Sequence, residues 1–256
     1  MAEDGAPVMT ASNRASTPLA RTNLGADVYR VLWERLLNRE LQPGAKLSDL
    51  RLSAELGVSR TPVREALNRL VQDGVVRAQP NRGFFVASFE PSDIAEVFDL
   101  RAALEGFALR MAAPGFDHQE LERAAGELDE VTHLIAAAQS AAERLAATAR
   151  FLEVDQNFHR RLVERAGNSR LQAIFHGLWA QVAVFQQAGA HVPGWMELAI
   201  AQHREIIRLL VADDVFEAAN ALEAHILDMK ARVLADLAPA FDATDHPGVE
   251  HMEQER

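Results

Sequence analysis

Apolar residues recur at helical spacing along most of the chain, and a short interval around residue 80 shows an extended pattern instead. Before that interval the spacing predicts a helix over 24–39, with a mostly apolar face formed by Leu24, Val28, Val31, Leu32, Arg35 and Leu36. The Pro43-Gly44 pair breaks the pattern. Ser48 is a suitable N-cap for a short second helix over 49–56.

The stretch 57–70 carries the most informative pattern in the chain. Gly57 marks a turn, Ser59 stands where an N-cap is wanted, and Pro62 fits the first helical turn. One face of the predicted helix is apolar, with Val63, Ala66, Leu67 and Leu70. The opposite face carries side chains suited to phosphates and base edges, namely Arg60, Thr61, Arg64 and Asn68. The stretch therefore predicts a helix that recognises DNA.

After Gly74 the pattern becomes extended, and two short strands are predicted over 75–77 and 84–86. They flank a turn signal with the sequence Pro80-Asn-Arg-Gly83. Two helices, a recognition helix and a hairpin, in that order, are typical of a winged helix-turn-helix, which we assign to residues 23–90. On its hairpin, or wing, Arg77, Asn81 and Arg82 can reach a phosphate or the minor groove. A solvated loop is the alternative.

From Pro91 onward the patterning is helical only. It predicts six helices, over 92–112, 117–138, 140–166, 169–189, 194–211 and 213–237. The fold class is therefore mostly α, with an all-α antiparallel bundle over 91–238 after the winged part. Residues 1–22 and 239–256 lack periodicity and are expected to be a disordered arm and tail. The arm is either inert or touches DNA through Arg14 and Arg21.

Composition narrows the class of protein. A chain of 256 residues has room for two domains, and the absence of cysteine fits a reducing cytoplasm and excludes thiolate metal sites. No apolar run approaches the roughly 18 residues of a membrane span, so no membrane partner is expected. The net charge of −11 lies in the second part, because residues 22–90 hold ten Lys and Arg against eight Asp and Glu. A modestly basic first domain can therefore still face DNA.

A set of histidines in the bundle has the composition of a metal site. Asp155 and His159 are four residues apart, so both point to one side of a helix. His203 and His225 lie in two amphipathic helices that the break at Asp213 makes antiparallel neighbours. Three imidazoles and one carboxylate suit Zn²⁺, Ni²⁺, Fe²⁺ or Mn²⁺ and are too rich in nitrogen for Ca²⁺ or Mg²⁺. The spacing alone favours ordinary core or surface histidines over a metal site.

Arg101 interrupts an otherwise apolar line formed by Val97, Leu104 and Ala108. A charge on a buried stripe needs a partner. One candidate is Glu105, one turn further along the helix, and the other is the carboxylate of a ligand, which a guanidinium can hold through two hydrogen bonds.

Together these motifs resemble one family. The segments Pro43-Gly44, Gly57-Val-Ser-Arg-Thr-Pro-Val-Arg-Glu-Ala-Leu67, Asp73-Gly74 and Asn81-Arg-Gly83 resemble the GntR family of bacterial transcription regulators. The segments Leu100-Arg-Ala-Ala-Leu-Glu105 and Asp155-x-x-Phe158-His159, with His203 and His225, resemble the FCD effector domain of its FadR-like branch.

The resemblance implies roles for particular residues. Arg60 and Arg64 are expected to enter the major groove or grip its flanking phosphates, assisted by Ser59 and Thr61, while the wing at Arg82-Gly83 approaches the minor groove. Some relatives carry an arginine or another polar residue where this chain has Leu50, although Lys46 and Arg51 can touch phosphate. In the bundle, the resemblance implies a divalent transition metal beside a small carboxylate effector, with Arg101 lining the cavity.

The expected protein is thus a homodimeric transcription regulator on a near-palindromic double-stranded DNA operator, and more specifically a repressor released by its metabolite. The sequence leaves the direction of regulation and the ligand open. The alternatives are a metal-dependent enzyme that uses the Asp155, His159, His203 and His225 site, and a metal sensor without an organic ligand.

Overall fold

The computed structural model describes residues 24–189 and 194–244, which form nine α-helices and three short strands. The first group is α1 Leu24–Leu37, β1 Lys46–Leu47, α2 Asp49–Leu56, α3 Arg60–Gln72, β2 Val76–Gln79 and β3 Gly83–Val86. The second group is α4 Pro91–Ala112, α5 His118–Ala137, α6 Ala141–Arg165, α7 Ser169–Gly189, α8 Trp195–Val211 and α9 Val215–Thr244. We call the first group the head and the second the bundle.

The head is a winged helix-turn-helix, as predicted. Its helices and strands enclose one apolar core that includes Leu32, Leu67 and Leu70. The turn between α2 and α3 works because Gly57 adopts a left-handed conformation (φ 65°) that closes α2. At the start of α2 the Ser48 hydroxyl accepts a hydrogen bond from the Arg51 backbone N–H. Ser59 occupies the N-cap position of α3, but its side chain makes no capping bond and stays exposed.

The wing contains one strand more than predicted. Strand β3 lies between β1 and β2, and both pairings are antiparallel. In the hairpin, Val76 pairs with Val86 and Gln79 with Gly83. The additional strand β1 has two residues, Lys46 and Leu47, and two residues are too few to show an alternating pattern in sequence.

The bundle contains the six predicted helices, and its last helix is longer than predicted. Helix α9 continues to Thr244, so residues 239–244 are helical and the expected tail begins too early. The expected arm over 1–22 and the rest of the tail, 245–256, lie outside the described residues. Helix α4 packs along α9, α6 and α7, which brings Arg101 to the centre of the bundle.

Helix α7 connects the two parts of the molecule. Its residue Ala180 is buried in the apolar core of the head, and Val184 packs against the same core. Gln181 lies directly against Gly74, at the turn that precedes β2. One helix of the bundle thus contacts the head close to the base of the wing. None of the described helices is both long and apolar enough to cross a membrane.

Candidate functional site

The outer face of α3 presents the predicted polar residues to solvent. Arg60, Thr61, Arg64 and Asn68 are exposed. The apolar face of the same helix is buried through Val63, Ala66, Leu67 and Leu70. The amphipathic pattern read from the sequence is therefore confirmed, and the basic side chains form an accessible surface.

A carboxylate that the sequence did not single out organises two of these side chains. Arg60 donates a hydrogen bond from Nη2 to Oδ2 of Asp49 at 2.8 Å, and Nε of Arg64 lies 3.8 Å from the same oxygen. The hydrogen bond from Arg60 lowers the pKa of Asp49, which is therefore ionised at neutral pH. An acidic residue at the start of α2 resembles an ordinary helix-terminal acid, so no sequence pattern distinguishes Asp49 as part of the site.

The other predicted DNA-contacting residues lie on the surface of the head. Lys46 in β1, Arg51 in α2, and Arg82 and Gly83 at the wing tip are exposed. Arg77 is different, because its Nη2 donates to the Ser88 carbonyl at 2.7 Å and ties the wing to the linker before α4.

Four buried side chains from three helices converge in the bundle. Asp155 and His159 come from α6, His203 from α8 and His225 from α9, and one ligand atom from each lies within 4.8 Å of all the others. Nε2 of His203 is 3.2 Å from Nε2 of His159 and 3.6 Å from Oδ1 of Asp155. The structure thus brings together the four residues that the spacing suggested.

Surrounding side chains fix the orientation of this cluster. Nδ1 of His159 bonds Oε2 of Glu105, and Nδ1 of His225 donates to Oε1 of Gln202 at 2.8 Å. Nε2 of Gln186 donates to Oδ2 of Asp155 at 2.6 Å. These bonds leave Nε2 of His159, Nε2 of His225 and Oδ1 of Asp155 uninvolved, whereas Nδ1 of His203 has no hydrogen-bond partner among the described residues. Such outer contacts are what metal-binding histidines usually have.

The protonation of the cluster is close to what a cation requires. Burial lowers the pKa of His203 to about 4 and that of His225 well below its usual value, so both rings are neutral ligands. Burial opposes ionisation of Asp155, but the neighbouring His159 and His203 still depress its pKa. His159 alone has a raised pKa: burial favours its neutral form, but the charge of Glu105 and the hydrogen bonds to Asp155 and Glu105 together outweigh that effect. Its proton on Nε2 must leave before that atom can bind a metal ion.

Arg101 lies beside the cluster, and only one of its three nitrogen atoms has a hydrogen-bond partner among the described residues. Its Nε donates to Oε1 of Glu105 at 2.6 Å, and both side chains are fully buried. Nη1 and Nη2 of Arg101 have no hydrogen-bond partner among the described residues. Of the two partners considered from sequence, Glu105 therefore takes one donor, and two more remain for something else.

Sequence reasoning missed most of the outer contacts. Glu105 was considered only as a partner for Arg101, whereas it joins that guanidinium to His159. Gln186 and Gln202 were not considered. The available signal for Gln186 was its place directly after Val184-Phe185 in an apolar run, where a buried amide needs a partner.

A winged helix-turn-helix head with an exposed basic recognition helix, joined to a helical bundle with a buried polar centre, defines a DNA-binding regulator. Residues 24–86 match the family model for bacterial regulatory proteins of the gntR family, and residues 96–228 match the FCD domain model. The chain belongs to the GntR family of transcription regulators, with an FCD domain at its C-terminal side, and is not an enzyme.

Relatives and solved structures agree with this family. A transcriptional regulator of the HTH type from an unstable DNA locus of Streptomyces ambofaciens is 33% identical over 88% of this chain and 92% of its own. A protein from Paenarthrobacter nicotinovorans, named a probable D-xylose utilization operon transcriptional repressor, is 29% identical over 82% of this chain and 89% of its own. The crystal structure of a GntR-type protein from Rhodococcus sp. RHA1 superimposes with a TM-score of 0.66 at 25% identity, covering 84% of this chain and 99% of that one.

Proposed function

We propose that this regulator is a cytoplasmic homodimeric repressor of a near-palindromic operator, and that a small carboxylate bound beside a divalent transition metal sets its operator affinity. The observation that carries the proposal is Arg101, whose two buried Nη groups have no partner among the described residues and lie beside the Asp/His cluster. Buried donors without partners are costly, and a carboxylate satisfies both at once.

At the head, we assign base and phosphate contacts to the exposed face of α3. Arg60 and Arg64 have the reach and the donors to read guanine in the major groove. Ser59, Thr61 and Asn68 assist from the same helix, Lys46 and Arg51 contact phosphates, and Arg82 and Gly83 approach the minor groove. The exposure of all these residues supports the assignment.

In the bundle, Asp155, His159, His203 and His225 would hold the metal ion. Three imidazoles and one carboxylate suit Zn²⁺, Ni²⁺, Fe²⁺ or Mn²⁺. The fit is supported by His225, whose buried Nε2 has no partner among the described residues while its Nδ1 is bonded to Gln202. A bound ion would supply a positive charge that attracts a carboxylate, and Arg101 would orient that carboxylate.

Helix α7 is the route by which we connect ligand binding to DNA binding. Its Gln186 is bonded to the ligand residue Asp155, and its Ala180, less than two turns away, is buried in the core of the head. A ligand regulates only if it binds two arrangements of the protein with different affinities. A shift of α7 between two positions would change the place of the head relative to the bundle.

The dimer is supported by an apolar stripe on the outer face of α4. Leu100, Phe107 and Met111 are 52%, 48% and 44% exposed and lie on one side of this helix. A second copy of the chain would cover them, and a two-fold dimer matches a palindromic operator. Phe107→Glu is expected to turn the dimer into monomers in sedimentation experiments. A variant that remains dimeric would show that the dimer interface does not include this stripe.

Calorimetric titration tests the effector site. We expect at least one small carboxylic acid to bind the metal-loaded protein, and Arg101→Met to abolish that binding. Arg150→Met, which removes a surface guanidinium paired with Glu130 and Glu153, serves as the control and should bind normally. Metal binding without affinity for any acid would contradict the proposal and favour a metal sensor.

A further inference from the structure

One carboxylate lies between the two arginines that we assign to base reading. Oδ2 of Asp49 accepts the hydrogen bond from Arg60 and lies 3.8 Å from Nε of Arg64. The two arginine side chains are 55% and 61% exposed, whereas Asp49 is only 19% exposed. The acid thus lies beneath the guanidinium groups, and the groups themselves face outward.

Stability gives no sufficient reason for this arrangement. Ion pairs with an exposed partner contribute about 0–1 kcal/mol to folding. An acid beneath a DNA-binding face also carries a cost, because its charge repels phosphates and weakens attraction to any duplex. An acid in the first turn of α2 stabilises that helix by only about 0.3–1 kcal/mol, which does not explain why it lies against two arginines of the DNA-binding face.

We propose that Asp49 is a positioning residue that sets sequence specificity, holding Arg60 and Arg64 toward base edges and lowering affinity for unrelated DNA. The inference rests on the DNA contacts proposed above for the two arginines. A guanidinium held by a carboxylate at one edge keeps fewer orientations and retains its remaining N–H groups for a base. A guanidinium without that restraint is free to turn to the nearest phosphate, which carries no sequence information.

The test compares two DNA probes on full-length protein. One is a duplex that the wild-type protein selects from a random library, and the other is a scrambled duplex of the same composition. We expect Asp49→Asn to weaken binding of the selected duplex about 10-fold, within the range of one base contact. Binding of the scrambled duplex should strengthen about 2- to 5-fold, because one repulsive charge is lost.

Two further variants separate positioning from general effects. Asp27→Asn removes the same charge from an exposed site on α1, beside Arg30, and should leave the ratio of the two affinities unchanged. Asp49→Glu keeps both the charge and a favourable acid at the start of α2, and should recover a large part of the ratio. If Asp49→Asn folds poorly, Asp49→Glu and Asp49→Ser, compared at matched folded fractions, answer the same question.

Different results would overturn the role of Asp49 and the base contacts assigned to Arg60 and Arg64. If Arg60→Ala and Arg64→Ala leave the ratio of affinities unchanged, the assigned base contacts fail. If those variants lower the ratio but Asp49→Asn behaves like Asp27→Asn, only the role of Asp49 is overturned. A parallel loss on both probes would also overturn it, since that result indicates a structural role.

Discussion

Arginine–carboxylate pairs occur in both parts of this protein, in opposite surroundings. In the head, Asp49 lies against Arg60 and Arg64 at the surface, where the donors that the carboxylate does not take are accessible to solvent. In the bundle, Arg101 and Glu105 are completely buried, and two donors of Arg101 have no partner among the described residues. Free donors at the surface cost little and suit a large polyanion, whereas donors in the interior are costly unless a small molecule satisfies them, which is the role we propose for the effector.

The largest expected difference between the two parts comes from replacing an arginine by methionine, once in the bundle and once in the head. Arg101→Met should lower the free energy of unfolding by about 3–5 kcal/mol, because it leaves the buried Glu105 without its guanidinium partner. The side chain of Arg60 is 55% exposed, so Arg60→Met should change the free energy of unfolding by about 1 kcal/mol or less. Urea denaturation of both variants measures the difference. Equal losses would show that the two environments do not differ as described.

Removal of a histidine from the cluster should have the next largest effect. His203→Ala takes one nitrogen from the four-residue centre, and we expect metal affinity to fall more than about 100-fold, beyond the usual loss from an outer contact. Chelator competition measures the affinity. His133→Ala, on the exposed face of α5, is the control and should bind metal like the wild type. Similar metal affinities of the wild type, His203→Ala and His133→Ala would show that the metal does not bind at this cluster.

At the surface of the head, single substitutions should affect DNA and leave folding intact. Arg64→Ala is expected to weaken binding of the selected duplex by about 1–3 kcal/mol if the side chain reads a base. Arg30→Ala removes an equally exposed guanidinium from α1 and should have little effect. Fluorescence anisotropy across a range of salt concentrations gives both affinity and salt dependence. An Arg64→Ala variant with both values unchanged would refute the contact.

The smallest predicted effect is a change in the pH dependence of metal affinity when Glu105 is replaced. Burial lowers the pKa of His159, but the charge of Glu105 and the hydrogen bonds to Asp155 and Glu105 together raise it above its usual value, so a proton competes with a metal ion for this ring. Metal affinity should therefore fall as pH drops through the pKa of His159. In Glu105→Gln the negative charge is gone, the pKa is lower, and the fall should begin at a more acidic pH. Affinity measured from pH 8 to pH 5 shows the shift, and superimposable profiles would contradict it.

Sequence patterns predicted the elements of the fold because each long helix shows its own apolar face. Local signals also located Ser48, Gly57 and the cluster residues His203 and His225. What the patterns missed depends on contacts between distant segments. Strand β1 exists only because Lys46 and Leu47 pair with β3, and no pattern of two residues reveals that.

The outer contacts of both sites were missed for the same reason. Glu105 is 54 residues from His159, and Gln186 is 31 residues from Asp155. Asp49 is 11 residues from Arg60, across the turn of the helix-turn-helix. Residue type suggests which side chains bind metal or DNA, whereas the residues that orient them are defined by tertiary packing.

A carboxylate bound at Arg101 is expected to change how tightly the head binds DNA. The direct measurement is the dissociation constant of the metal-loaded protein for its selected duplex, with and without each acid that calorimetry shows to bind. Regulatory coupling of about 1–3 kcal/mol predicts a change of about 5- to 150-fold with at least one acid. An acid that saturates the bundle and leaves the dissociation constant for DNA unchanged would contradict the account.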